Sequence, residues 1–181
     1  MTVLKDLRNA VVGWYELLRA RARGAARFNA TRAGLINALL SYVLVVIVTL
    51  VVQGSMGLLA SVSDVAISAA VNVLPLLGLS LAIVLTLAAL RLELSFPTLA
   101  VPAIYAMAFV LLIQLPLSLW TGGLFSNAIL AVLAFMLYRE AREVGQMSIG
   151  VSIAFAALCI IALVALPSGL YMLLVPAVPP A

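Results

Sequence analysis

Residues 34–52, GLINALLSYVLVVIVTLVV, run without a charge over the length that a helix needs to cross a bilayer, about 20 residues for about 30 Å of hydrocarbon. Lipid admits only helices or closed barrels, and this run lacks the apolar and polar alternation of an outer-membrane strand. The rest of the chain repeats the pattern. Hydrophobic residues make up 66% of the 181 positions and charged ones 9%, which excludes an ordinary soluble domain. We therefore expect an all-α fold, a polytopic transmembrane helical bundle of about five spans at residues 34–175. A cytoplasmic basic amphipathic segment, 1–33, precedes it, and a proline-rich tail, 176–181, follows.

Upstream of the first span, a helical wheel drawn over residues 3–23 gathers Val3, Leu4, Leu7, Val11, Trp14 and Leu18 in one sector. Lys5, Arg8, Glu16, Arg19 and Arg23 fall on the other side. That is an amphipathic interfacial helix. Its apolar stripe and basic face suit either the anionic headgroups of a lipid leaflet or a protein partner, with Leu4, Leu7, Val11, Trp14, Leu18, Arg19 and Arg23 as the contact residues. Gly24, Asn29 and Thr31 supply turn and cap chemistry for the entry into the membrane. Because no apolar run comes before residue 33, a cleaved signal peptide is not expected.

Downstream, further spans are expected at about 65–90, 97–119 and 124–138, and a fifth starts near Ile149. Asp64 stands where a carboxylate favours a helix N-terminus. Pro75 predicts a kink in the second span, and Pro167 either stops the fifth or bends it. The run Arg139-Glu140-Ala141-Arg142-Glu143 reads as a helix end projecting into water, with Arg139 and Glu143, four apart, as a surface pair. With five crossings and the N-terminus inside, all ten basic residues fall on the cytoplasmic side, in 1–33, 91–96 and 139–148. The positive-inside rule then places the protein in the cell inner membrane with a periplasmic C-terminus.

Chemistry is sparse. There is no histidine, so imidazole ligation of haem or metal and Ser-His or Cys-His catalysis lack their residue. No phosphate-binding glycine loop and no carboxylate pair is present, and the single cysteine, Cys159, lies within a span. Neither catalysis nor a cofactor or metal is expected. Seven basic residues beside a membrane span are accounted for by topology and lipid headgroups, and nucleic acid is not expected as a partner. Of the polar residues inside the spans, Asn72, Gln114 and Asn127 could line a substrate path, with Pro75 breaking the helix beside Asn72; the others read as hydrogen bonds between helices. Small residues four apart, Gly78 and Ala82 or Gly150 and Ala154, permit close helix approach in the second and fifth spans.

Three features resemble the small five-span membrane proteins of the Yip1 type and uncharacterised alphaproteobacterial membrane proteins of similar length. They are Gly13-Trp14 and Arg27-Phe28 before the first span, the proline-rich third span after Arg91, and Tyr138-Arg139-Glu140-Ala141-Arg142 before the last. That resemblance implies membrane organisation through partner contacts, without catalytic residues. The expected function is thus a non-catalytic inner-membrane protein that packs against a membrane partner or a second copy. The alternative is a small transporter, or the substrate-binding membrane subunit of one.

Overall fold

A computed structural model describes residues 3–59, 61–121 and 125–174. Helix α1 (Val3–Leu18) is followed by a 3-10 helix (Ala22–Arg27), then α2 (Arg32–Ser55), α3 (Val62–Leu90), α4 (Phe96–Thr121), α5 (Ser126–Glu143) and α6 (Ile149–Leu174). Among the described residues there is no strand.

Local chemistry explains where the helices start. The Thr31 hydroxyl accepts the Gly34 N–H at 3.2 Å and caps α2. At the start of α3 the Asp64 N–H donates to the Ser61 hydroxyl, and the Ser61 N–H donates back to the Asp64 carboxylate at 2.9 Å, a reciprocal capping box. Arg91 ends α3 in the left-handed region at φ 49°. Helix α6 continues through Pro167 to Leu174, so that proline does not end it. The expected proline-rich tail at 176–181 lies outside the described residues, as do Gly122 and Gly123 of the expected turn; Trp120 and Thr121 belong to α4.

Among the described residues, four helices are long and apolar enough to cross a membrane: α2, α3, α4 over Phe96–Ser118, and α6 over Ile149–Gly169. Helix α5 differs because its last turns carry Arg139, Glu140, Arg142 and Glu143. Its 18 residues nonetheless extend about 27 Å at about 1.5 Å per residue. It begins beside the C-terminal end of α4 and returns to the level of α1, where the Arg139 Nε–H donates to the Leu17 carbonyl at 3.1 Å.

Helix α4 is the hub. Every residue from Leu99 to Ala108 is buried, and α1, α2, α3 and α5 all pack on this helix. The outer faces of α2, α3 and α6 stay bare, with Leu44, Leu77 and Ile161 more than half exposed, as lipid contact requires. Helices α3 and α6 form the most extensive pair. A Cβ on Gly78 would stand 2.7 Å from the Ala162 carbonyl oxygen, so only glycine permits this approach. Gly150 has open space around it and makes no such contact. Gly78→Ala should therefore destabilise the protein by about 1–3 kcal/mol through overpacking. Gly150→Ala should be neutral or stabilising, and thermal melts of the two variants in detergent check the opposite signs.

Helix α1 departs most from the expected surface stripe. It folds back on the 3-10 helix, where Gly24 comes so close that an added Cβ would lie 2.6 Å from the Gly13 carbonyl oxygen. The pair then docks on the bundle through Ala10, Trp14 and Leu17, which are buried. The Trp14 indole N–H donates to the Pro102 carbonyl of α4 at 3.1 Å, and Phe28 meets the indole edge-on at 5.9 Å.

Candidate functional site

The expected contact stripe of α1 divides into two parts. Trp14 is buried and Leu7 is packed against the core, so both are held by this chain's own bundle. Leu4, Val11 and Leu18 are exposed, at 78%, 53% and 42%, as are Arg19 and Arg23. The Arg19 guanidinium lies 4.2 Å above the Tyr15 ring, whose apolar body is also exposed. What α1 presents outward is thus a narrower apolar strip bordered by arginines. The wheel treated all six apolar residues as one surface. It could not see that the 3-10 helix and α4 would take one flank.

The expected polar set is brought together in part. A cavity of about 240 Å³ lies among all five bundle helices, and Asn72 and Pro75 of α3 and Gln114 of α4 line it. Tyr42 of α2, Leu133 of α5, and Leu163 and Pro167 of α6 close the wall. Asn127 is exposed on α5 and does not reach the cavity. Two other hollows, one between Met56 and Trp120 and one between Leu85 and Leu158, are apolar grooves on single flanks of the bundle.

Prolines shape the cavity. A helical proline has no N–H, so the carbonyl four residues earlier loses its donor. Pro75 does this to Val71 and Pro167 to Leu163, and both residues line the cavity. On the same wall the Tyr42 hydroxyl donates to the Asn72 carbonyl at 2.6 Å, while the Asn72 amide donates to the Ser68 carbonyl at 2.8 Å. The cavity therefore offers acceptors, the Gln114 amide, and apolar walls. Among the described residues that line it there is no Asp, Glu, Lys or Arg. Such a lining has no counter-charge for an ion and suits an uncharged molecule that carries hydrogen-bonding groups.

At the charged end of α5, sequence reasoning placed Glu140 in a solvated connection. The structure corrects this. Glu140 is fully buried and neither carboxylate oxygen has a hydrogen-bond partner. Burial pushes its carboxyl well above the usual range. Arg139 pairs instead with Glu143 at 3.1 Å, a half-sheltered contact rather than the expected surface pair. A signal for Glu140 was present in the spacing of Leu133, Met136, Leu137, Glu140 and Ala141, all buried on one face. Cys159 is buried in α6 as expected. Comparison with protein-family models, with curated proteins and with solved structures found no match.

Proposed function

We propose that this chain is a non-catalytic, multi-pass inner-membrane protein that holds a small uncharged molecule in the cavity between its five bundle helices. It would act as a transporter or as the substrate-binding membrane subunit of one. The observation that carries the reading is the meeting of Asn72, Pro75 and Gln114 on one cavity wall, opposite Pro167. Prolines in facing membrane helices free backbone acceptors where a substrate can use them. In this reading α5 is the fourth of five crossings, its charged end is cytoplasmic with α1, and the C-terminus is periplasmic.

Small uncharged hydrogen-bonding solutes provide the test. Thermal melts of the detergent-purified protein with propionamide or glycerol should show a saturable rise that Gln114→Leu and Asn72→Leu lose; a ligand at 100 times its Kd contributes about 2.7 kcal/mol. An equal shift in wild type and variants, or no shift in any, would contradict the reading.

A second reading draws on the exposed strip of α1. Leu4, Val11, Tyr15 and Leu18 beside Arg19 and Arg23 fit an anionic leaflet or a membrane partner, the accessory role that the Yip1-like layout implies. Leu4→Glu with Val11→Glu should then cut binding to anionic vesicles, or release a co-purifying subunit, without changing the melting temperature. Unaltered vesicle binding and subunit recovery would dismiss it.

A further inference from the structure

Glu140 is fully buried in α5, and neither the cavity wall nor the exposed strip of α1 uses it. Both of its carboxylate oxygens lack a hydrogen-bond partner. Its neighbours on α5 are engaged elsewhere: Arg139 pairs with Glu143 at 3.1 Å, and the Arg142 Nη1–H donates to the Met147 carbonyl at 2.6 Å. Helices α6, α4 and α1 and the 3-10 helix pack on α5. On α6 the half at this end, residues 149–163, carries Cys159 as its titratable group, and α4 carries Tyr105. On α1, Asp6 accepts from Asn37 and Asn29, and Glu16 pairs with Arg27 of the 3-10 helix at 3.4 Å. Lys5, Arg8, Tyr15 and Arg23 are exposed. Among the described residues, then, no cation compensates the Glu140 carboxyl.

Its place in the fold relates it to the cavity. Leu133, a lining residue, lies seven positions before Glu140, so the two share one face of α5 about 10 Å apart at about 1.5 Å per residue. Leu137 stands between them and is fully buried. On α6, Cys159 is buried four residues before Leu163, which also lines the cavity. Just past Glu140 the α5–α6 connection turns back, and the buried Met147 donates its N–H to the Ala141 carbonyl at 3.0 Å. Glu140 thus sits between the cavity and the connection that closes the α1 end of the bundle.

A polar group that costs stability and makes no bond in the closed bundle calls for another state in which it is used. We infer that Glu140 is a proton-binding site that links opening of the cavity at the α1 end to the release of one proton. In the closed bundle the group is the neutral acid, the form that burial favours. When α5 and α6 part past Leu137, water reaches the carboxyl; the O–H bond breaks, its electron pair stays on the carboxylate, and the proton passes to water. Closing takes one proton back, because a bare charge without a partner is excluded from the packed interior. Above the closed-state value, each pH unit multiplies the open population by up to about tenfold. Solute leaving through this opening moves with a proton, which makes the chain a proton-linked carrier. That last step rests on the cavity reading, whereas the proton-controlled opening does not.

Cys159 reports the opening. Its modification by N-ethylmaleimide should be followed in the detergent-purified chain from about pH 6 to about pH 9, in wild type and in Glu140→Gln, whose side chain takes up no proton. The two rates should converge at the acid end, and the wild-type rate should climb about tenfold more than that of Glu140→Gln. Glu140→Asp, which keeps the acid, should retain the extra climb. Equal climbs in wild type and Glu140→Gln, a Glu140→Gln thiol that reacts rapidly at every pH, or an extra climb that Glu140→Asp loses would each overturn the proposal. The propionamide melts separate the two readings. An extra climb without any solute shift refutes the cavity alone, and a solute shift with equal climbs refutes the proton site alone.

Discussion

Trp14→Ala should free α1 from the bundle and lower stability by about 3–5 kcal/mol, the cost of deleting a buried aromatic side chain. Trp14 is 2% exposed, and its indole N–H holds the Pro102 carbonyl. Removing the ring leaves a hollow between α1, Phe28 and α4 that the proline-containing start of α4 cannot readily fill. Hydrogen exchange across residues 3–18 should rise by orders of magnitude in the variant. Leu4→Ala, on the exposed flank, should leave the exchange and the melting temperature unchanged within about 0.5 kcal/mol. If both variants behaved alike, α1 would not be docked as described.

Glu140→Met should make the protein more stable. Exchanging a buried, unpaired ionisable group for an apolar side chain of similar volume is neutral or stabilising by about 1–4 kcal/mol, and each kcal/mol moves Tm by about 2–4 °C in a chain of this size. The sign of the pH dependence follows from the raised Glu140 carboxyl. The folded state keeps a proton that the unfolded state has already released, so this group favours folding at low pH. Its contribution falls as pH rises from the ordinary carboxylate range through the raised value. Wild type should therefore lose stability across that window while Glu140→Met stays flatter, and melts between pH 4 and pH 8 read the difference. Parallel curves would mean that Glu140 finds a partner in solution.

Much of this fold was legible in the sequence, and the residues that misled did so for physical reasons. Apolar runs identify α2, α3, α4 and α6 because each must satisfy its own backbone in lipid. Asp64 marked the start of α3 because capping is local chemistry. Asn72, Pro75 and Gln114 do line one cavity, although intramembrane amides and prolines serve equally as interhelical hydrogen bonds and kinks. Asn127 shared that polarity but sits on the wrong face of α5, a matter of rotation that composition does not encode. Glu140 was read as part of a solvated run, and Asp6 was assigned to neither face of the wheel. Each instead shares a helical face with buried residues, Leu137 and Ala141 for one and Ala10, Gly13 and Leu17 for the other. Spacing, in both cases, was the better guide than polarity. The 3-10 return that brings Gly24 against Gly13 is a fit between separate elements, and Gly24, read only as turn chemistry, is what permits it.

Chemical labelling at Gln114 tests the central claim most directly. In a Cys159→Ser background, Gln114→Cys places one thiol on the cavity wall. The account predicts modification in native membranes by the small neutral reagent N-ethylmaleimide, with little modification by an anionic sulfonate thiol reagent. A Gln114→Cys thiol that stays unmodified by N-ethylmaleimide, or that reacts equally with the anionic reagent, would contradict a cavity built for an uncharged molecule.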